Sequence, residues 1–339
     1  MSKTFKTSVI FSISAIWLVL MRIVFSYVNV GDYLTEWLFS FSVQVIGMGV
    51  IPLVLYRFWV KEDPFRAFCF KRKLSPIVYV FTVGLGILMS FLLTSVSAVF
   101  QTILQLIGYT QTNSPGTVYP QTGAVGILVM ELITTALLPG IFEEINYRGL
   151  GSRMLEEVED ERMKIVFIGL LFGLGHQFIG QTGYAFVAGM VLAYLIIKTR
   201  SIIPGMIVHF INNAVSVLGE YSSQTTGIFY GIRENVFSVV FNNFLFLLLF
   251  TAVLIILTIV LLRLIKKYSQ SEERVAVEEK DEYYYPNKKQ YVDDIFGDLE
   301  VVRETVKPSA RWYEYAPLYG AVAIMLVNTL FTFVWGMGR

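Results

Sequence analysis

The chain alternates long apolar runs with short polar breaks, and the runs have membrane-crossing length. A helix through a hydrocarbon core of roughly 30 Å needs about 20 apolar residues. Runs of that kind cover residues 8–28, 37–56, 77–100, 124–147, 236–264 and 316–335. Residues 165–218 are also apolar but are interrupted near 180–183 and 198–201, and they read as three shorter helices. The pattern predicts an all-α fold, a polytopic transmembrane helix bundle of about nine helices. Lys3 and Lys6 precede the first run, but the run is long, contains Arg22 and shows no small-residue exit. It is expected to stay in the protein as a helix rather than be cleaved as a signal peptide.

The polar breaks carry an orientation. Arg57, Lys61, Arg66, Lys71, Arg72 and Lys73 lie between the second and third helices. Arg153, Arg162 and Lys164 follow the fourth, Lys198 and Arg200 the sixth, and Lys266 and Lys267 the eighth. Residues 29–36 and 108–123 carry no Lys or Arg, and 222–235 only Arg233. Basic loops stay cytosolic, so the N-terminus is expected in the cytosol and the C-terminus outside. An integral protein of a prokaryotic plasma membrane fits this best. Three parts follow: a bundle over 1–265, a cytosolic segment over 266–312 and an additional C-terminal helix over 313–339. The middle part is acidic, with Glu278, Glu279, Asp281, Glu282, Asp293 and Asp294 around Tyr283, Tyr284 and Tyr285. It reads as a solvated linker, with a docking segment for a protein partner (268–311) as the alternative.

Composition agrees. Of 339 residues, 55% are hydrophobic and 16% charged, against about 45–50% and about 25% in soluble domains. A soluble two-domain protein is excluded. Ten prolines and one cysteine, Cys69, exclude a collagen-like chain and a disulfide scaffold, and a net charge of +1 offers nucleic acid nothing.

Ionisable side chains within apolar helices cost about 2.5–3.5 kcal/mol each on insertion scales, so the few present need a reason. The fourth run ends in Glu143-Glu144-Ile145-Asn146-Tyr147-Arg148, and the only two histidines, His176 and His209, lie in apolar stretches. Glu144 and Arg148 are i,i+4 neighbours with the acid first, the better order for an ion pair. Glu143 is turned about 100° away and is left to face a polar cavity. His209 and Asn213 share one helix face. Helix rise places these groups in the cytosolic half of the membrane, where Pro139 and Gly140 should loosen the fourth helix. Arg22 and Glu131 are expected to pair with each other, away from this cluster.

A carboxylate and an imidazole around one water make a hydrolytic site. Glu143 would take the proton and His176 would orient the water, while His209 and Asn213 would donate to the oxyanion of a peptide carbonyl. No serine or cysteine nucleophile is implied. The same atoms allow a zinc reading with His176, His209 and Glu143 as ligands. With no H-E-x-x-H, the version without a cofactor is preferred.

Glu143-Glu144-x-x-x-Arg148, Phe172-x-x-x-His176 and His209-x-x-x-Asn213 resemble the three signature motifs of the CPBP family. This is the CAAX protease and bacteriocin-processing group, also called Abi, which includes the type II CAAX prenyl endopeptidases. Tyr194 and residues 201–204 resemble the lead-in to its third motif, and the likeness covers about 124–218. It implies an intramembrane protease of the glutamate type, with Glu143 and His176 activating water and His209 and Asn213 stabilising the oxyanion. Glu144 and Arg148 would be supporting motif residues, and Phe172 would shape the wall. The expected activity is endopeptidase hydrolysis of a peptide or membrane-protein substrate near the cytosolic face. The alternative is a scaffold or regulator that binds another membrane enzyme, and an ion or proton path is disfavoured by the lack of internal repeats.

Overall fold

The computed structural model describes residues 1–28, 32–70, 72–110, 118–119, 124–225, 243–276 and 311–337, with the backbone only for 32 and 270–276. Among these residues the fold is helical and has no strand. Its helices are α1 (Lys3–Tyr27), α2 (Tyr33–Val60), α3 (Pro64–Ala67), α4 (Pro76–Leu106) and α5 (Ala124–Met154). They continue with α6 (Glu161–Gly175), α7 (Ile179–Thr199), α8 (Ile203–Thr225), α9 (Phe244–Ala276) and α10 (Ala316–Gly336). Among the described residues, seven helices are long and apolar enough to cross a membrane: α1, α2, α4, α5, α7, α9 and α10. The shorter α6 and the more polar α8 pack among them, α6 mainly on α7 and α8 on α5 and α4. The protein is a polytopic helical bundle. Most of the acidic segment lies outside the described residues.

Two helices depart from regular winding. Wide, π-type turns occupy Ser42–Val50 and Tyr56–Val60 in α2, and Leu132–Leu137 and Glu144–Leu150 in α5. Pro52 and Pro139 each follow one of these stretches. Proline has no N–H to donate, and its ring crowds the carbonyl four residues back; a locally widened turn relieves both problems. In α5 the carbonyl so released is that of Thr135. The expected loosening at Pro139 is therefore found as a change of winding inside a continuous helix. Gly140 lets α8 come close here, since a Cβ on it would lie 3.1 Å from the backbone nitrogen of Phe210.

The first interruption of the 165–218 stretch falls earlier than its glycines indicate. α6 ends at Gly175, and the chain reverses through His176, Gln177 and Phe178, with Gln177 left-handed at φ 52°. Gly183 is instead a contact residue within α7, where a Cβ would come within 2.7 Å of the Phe100 ring. The second break is where it was expected, at Arg200, also left-handed.

The basic-loop end of the bundle is sealed. Phe68, just after α3, is fully buried, stacks edge-on against Tyr56 at 4.8 Å and lies under Gly149 of α5. Arg153 Nε donates to the Ala67 carbonyl at 2.6 Å, and the Ile202 amide to the Cys69 carbonyl at 3.2 Å. These bonds tie the loop to α5 and to the link between α7 and α8. α10 packs along α1, with the Ser12 hydroxyl donating to the Pro317 carbonyl at 2.7 Å.

Candidate active site

Glu143 and Glu144 sit where α5 changes winding, and their side chains take different surroundings. Glu144 is fully buried, with Oε1 2.9 Å from Arg148 Nη1 and 2.9 Å from His209 Nδ1. The arginine contact is an ion pair, because the guanidinium is not aligned for a hydrogen bond. Arg148 also lies over the Phe172 ring, 4.0 Å from its centroid, in a cation–π contact. Gly205 makes room for this arrangement, since a Cβ there would stand 2.9 Å from Glu144 Oε2.

Glu143 faces a cavity. Its Oε1 accepts a 2.7 Å hydrogen bond from Gln44 Nε2, and its Oε2 lies 3.8 Å from His209 Nε2. A carboxylate can only accept, so the bond to Glu144 makes His209 Nδ1 the donor and turns Nε2 toward Glu143. His176 follows α6 directly, and its Nδ1 is 2.9 Å from the Phe172 carbonyl. That carbonyl also only accepts, so Nδ1 carries the proton and Nε2 is left as the acceptor nitrogen. Phe172 is the wedge between both rings, 5.0 Å from His176 and 5.7 Å from His209.

Asn213 is oriented from two sides. Its Nδ2 donates to the Thr135 carbonyl at 3.0 Å, the carbonyl that Pro139 cannot engage, and its Oδ1 accepts from Asn212 Nδ2 at 2.9 Å. With Oδ1 engaged and one amide hydrogen used, one N–H remains. Glu143, Phe172, His176, His209 and Asn213 all line one cavity of about 660 Å³. Glu144 and Arg148 stand behind it.

The sequence reading missed Gln44, Asn212 and the Thr135 carbonyl. Gln44 did carry a signal, as the one side-chain amide in an otherwise apolar run. The expected Arg22–Glu131 pair is not formed. Arg22 Nη2 donates to the His176 carbonyl at 2.8 Å, holding the reversal after α6. Glu131 accepts from Trp37 Nε1 at 3.1 Å and from the Thr135 hydroxyl at 2.9 Å. The arginine is drawn to an open carbonyl at a helix end, and the acid to two neutral donors, Thr135 one turn away and Trp37 on α2. Among the described residues, no group of three or more His, Cys, Asp or Glu is placed to hold a metal ion.

Residues 125–215 match the family model described as Type II CAAX prenyl endopeptidase Rce1-like. No curated protein and no solved structure matches the chain. The matched stretch contains Glu143, Glu144, Arg148, Phe172, His176, His209 and Asn213. Through this segment, which supplies most of the cavity's polar groups, the chain is similar to the CAAX protease (CPBP) family of membrane-embedded proteases.

Proposed function

We propose that the protein is a glutamate-type intramembrane endopeptidase that hydrolyses a peptide or membrane-protein substrate with water activated by Glu143 and His176. The observation that carries this reading is the convergence of Glu143, His176, His209 and Asn213 on one cavity, with Glu143 Oε2 and His209 Nε2 3.8 Å apart. Gln44 occupies Oε1 of Glu143, so Oε2 is the oxygen that takes the proton from water. His176 Nε2 accepts the other water hydrogen and orients the attack. The hydroxide adds to the peptide carbonyl, and the resulting oxyanion meets the free N–H of Asn213 and, in the doubly protonated ring, Nε2–H of His209. The proton held by Glu143 then passes to the amide nitrogen, the C–N bond breaks, and a carboxylate and an amine leave. Glu144 and Arg148 fix the His209 ring. No metal ion takes part in this scheme, so chelators should leave cleavage unchanged.

The test compares new protein and peptide termini in cells carrying wild type or Glu143→Gln, matched for expression and thermal stability. Termini that vanish in the variant identify the substrate. Coincident profiles with a phenotype that persists in the variant would overturn hydrolysis and leave a scaffold that binds another membrane enzyme.

A further inference from the structure

The cavity is closed toward the basic loops and polar in the other direction. Toward the basic loops lie the fully buried Phe68, Leu150 and Met154 and the Glu144–Arg148 pair. At about 1.5 Å per residue, Glu143 is roughly 16 Å from the basic end of α5 and roughly 28 Å from the other. The cavity follows the longer direction. Ser97 and Gln101 line it within about 15 Å of the far end of α4, Gln181 within about 5 Å of the far end of α7, and Ser216 within about 15 Å of that of α8. Thr94, Thr135 and Ser216 line it and are also exposed, so it is open at their level. Gln101 Nε2 donates to the Gly180 carbonyl at 3.0 Å, which keeps the α4 side of this polar wall against α7. Among the lining residues, Glu143 is the only acidic side chain and there is no Lys or Arg.

We infer that this polar upper half is a water-filled vestibule, and that water and an extended, uncharged stretch of peptide reach Glu143 from the membrane face opposite the basic loops. The Thr94, Thr135 and Ser216 hydroxyls spend their protons within their own helices, but their oxygens, with that of Gln101, keep acceptor capacity on the cavity side, and polar atoms at lipid depth cost free energy unless water or a partner meets them. Backbone amides of an incoming strand find acceptors in those groups. A peptide carrying a charge finds no counter-ion in the vestibule other than the Glu143 carboxylate itself. The peptide route rests on the proposed protease; the vestibule does not.

The experiment uses the full chain in its membrane with Cys69→Ser as background. Single cysteines replace Ser97, Ser216, Lys61 (basic face) and Tyr27 (opposite face), and each is treated with a membrane-impermeant cationic methanethiosulfonate in right-side-out and inside-out vesicles. Ser97→Cys and Ser216→Cys should be modified only when Tyr27→Cys is. Modification of both together with Lys61→Cys, or of neither from either side, overturns the vestibule. Both serine changes are near-isosteric, and modification reads out without activity. Where the vestibule labels as expected, the bulky adduct at Ser97→Cys should abolish the termini that Glu143→Gln removes. Unblocked cleavage would overturn the peptide route alone, whereas failure of the protease reading shows as identical termini before any labelling.

Discussion

The two ends of the cavity that Glu143 faces are made of opposite materials. Toward the basic loops, aromatic and aliphatic side chains and one buried ion pair close the bundle. Away from them, the same helices present hydroxyls and amides to an open space. The floor holds Glu144, which has no room for a substrate, and the cavity holds Glu143, whose second oxygen is clear. Adjacent residues of one motif thus divide into a buried anchor and, on the proposed mechanism, a reagent, because a turn of about 100° separates neighbours on a helix. The difference predicts that substitutions in the floor move stability and that substitutions on the cavity side move rate.

The largest effect should come from Glu143→Gln. Removing the base from the reacting water should lower cleavage by about 10²–10⁴-fold, while the thermal midpoint in detergent stays at the wild-type value. A midpoint that falls with activity would place Glu143 in the floor and break the distinction.

Glu144→Ala is the opposite case. It strands a fully buried arginine without its counter-charge, a change that costs about 3–5 kcal/mol where measured. The thermal midpoint should drop sharply. Replacing both partners, as Glu144→Gln with Arg148→Met, should recover part of it, because a buried pair is often no better than apolar packing. Recovery of cleavage is not expected, since His209 also loses the carboxylate that orders its ring.

Phe68→Ala should cost about 3 kcal/mol, the low end for a large buried aromatic, read as a lowered midpoint with the turnover per folded molecule retained. Gln44→Leu should do the reverse. A hydrogen bond to a charged group contributes about 1.5–3 kcal/mol, so losing the 2.7 Å bond to Glu143 should lower kcat by about 10–100-fold. KM should hold, because Gln44 touches the base and not the substrate. A rise in KM alone would assign Gln44 to binding.

The sequence carried more of the site than of its support. Three motifs placed seven residues that the fold brings together, because a motif at i,i+4 spacing states which side chains share a face. The supporting contacts cross between helices distant in the chain. Gln44 reaches Glu143 over 99 residues and Arg22 reaches the His176 carbonyl over 154. Spacing along one helix says nothing about such partners, which is why Arg22 was expected to meet an acid rather than a carbonyl. The reversal at His176 was misplaced for a related reason. Glycine serves both helix ends and close packing, and only the neighbouring Phe100 shows that Gly183 does the latter. The π-type turns of α5 were legible in outline, since Pro139 demanded some irregularity, but a proline alone does not decide between a kink and a wide turn, and those of α2 were not anticipated.

The smallest expected effect lies outside the membrane, where the floor meets solvent. Burial by itself pushes the Glu62 carboxyl up, but the Tyr56 hydroxyl and the Lys3 ammonium outweigh it, and its pKa falls below the ordinary 4.5. The hydroxyl donates at 2.6 Å, and Lys3 Nζ stands 3.0 Å from Glu62 and 3.1 Å from Glu156. A depressed folded value means that the ionised form is favoured by folding. The contribution is therefore complete above the unfolded pKa near 4.5 and is lost as pH falls through the lower folded value. The pair is partly exposed, so solvent screens it and the change is small. Thermal midpoints measured from pH 7 down to pH 3 should fall more in wild type than in Glu62→Gln, with the divergence confined to the acid side of about 4.5. Parallel curves would show that the Glu62 charge adds nothing to what Lys3 and Tyr56 contribute between α1 and the end of α2.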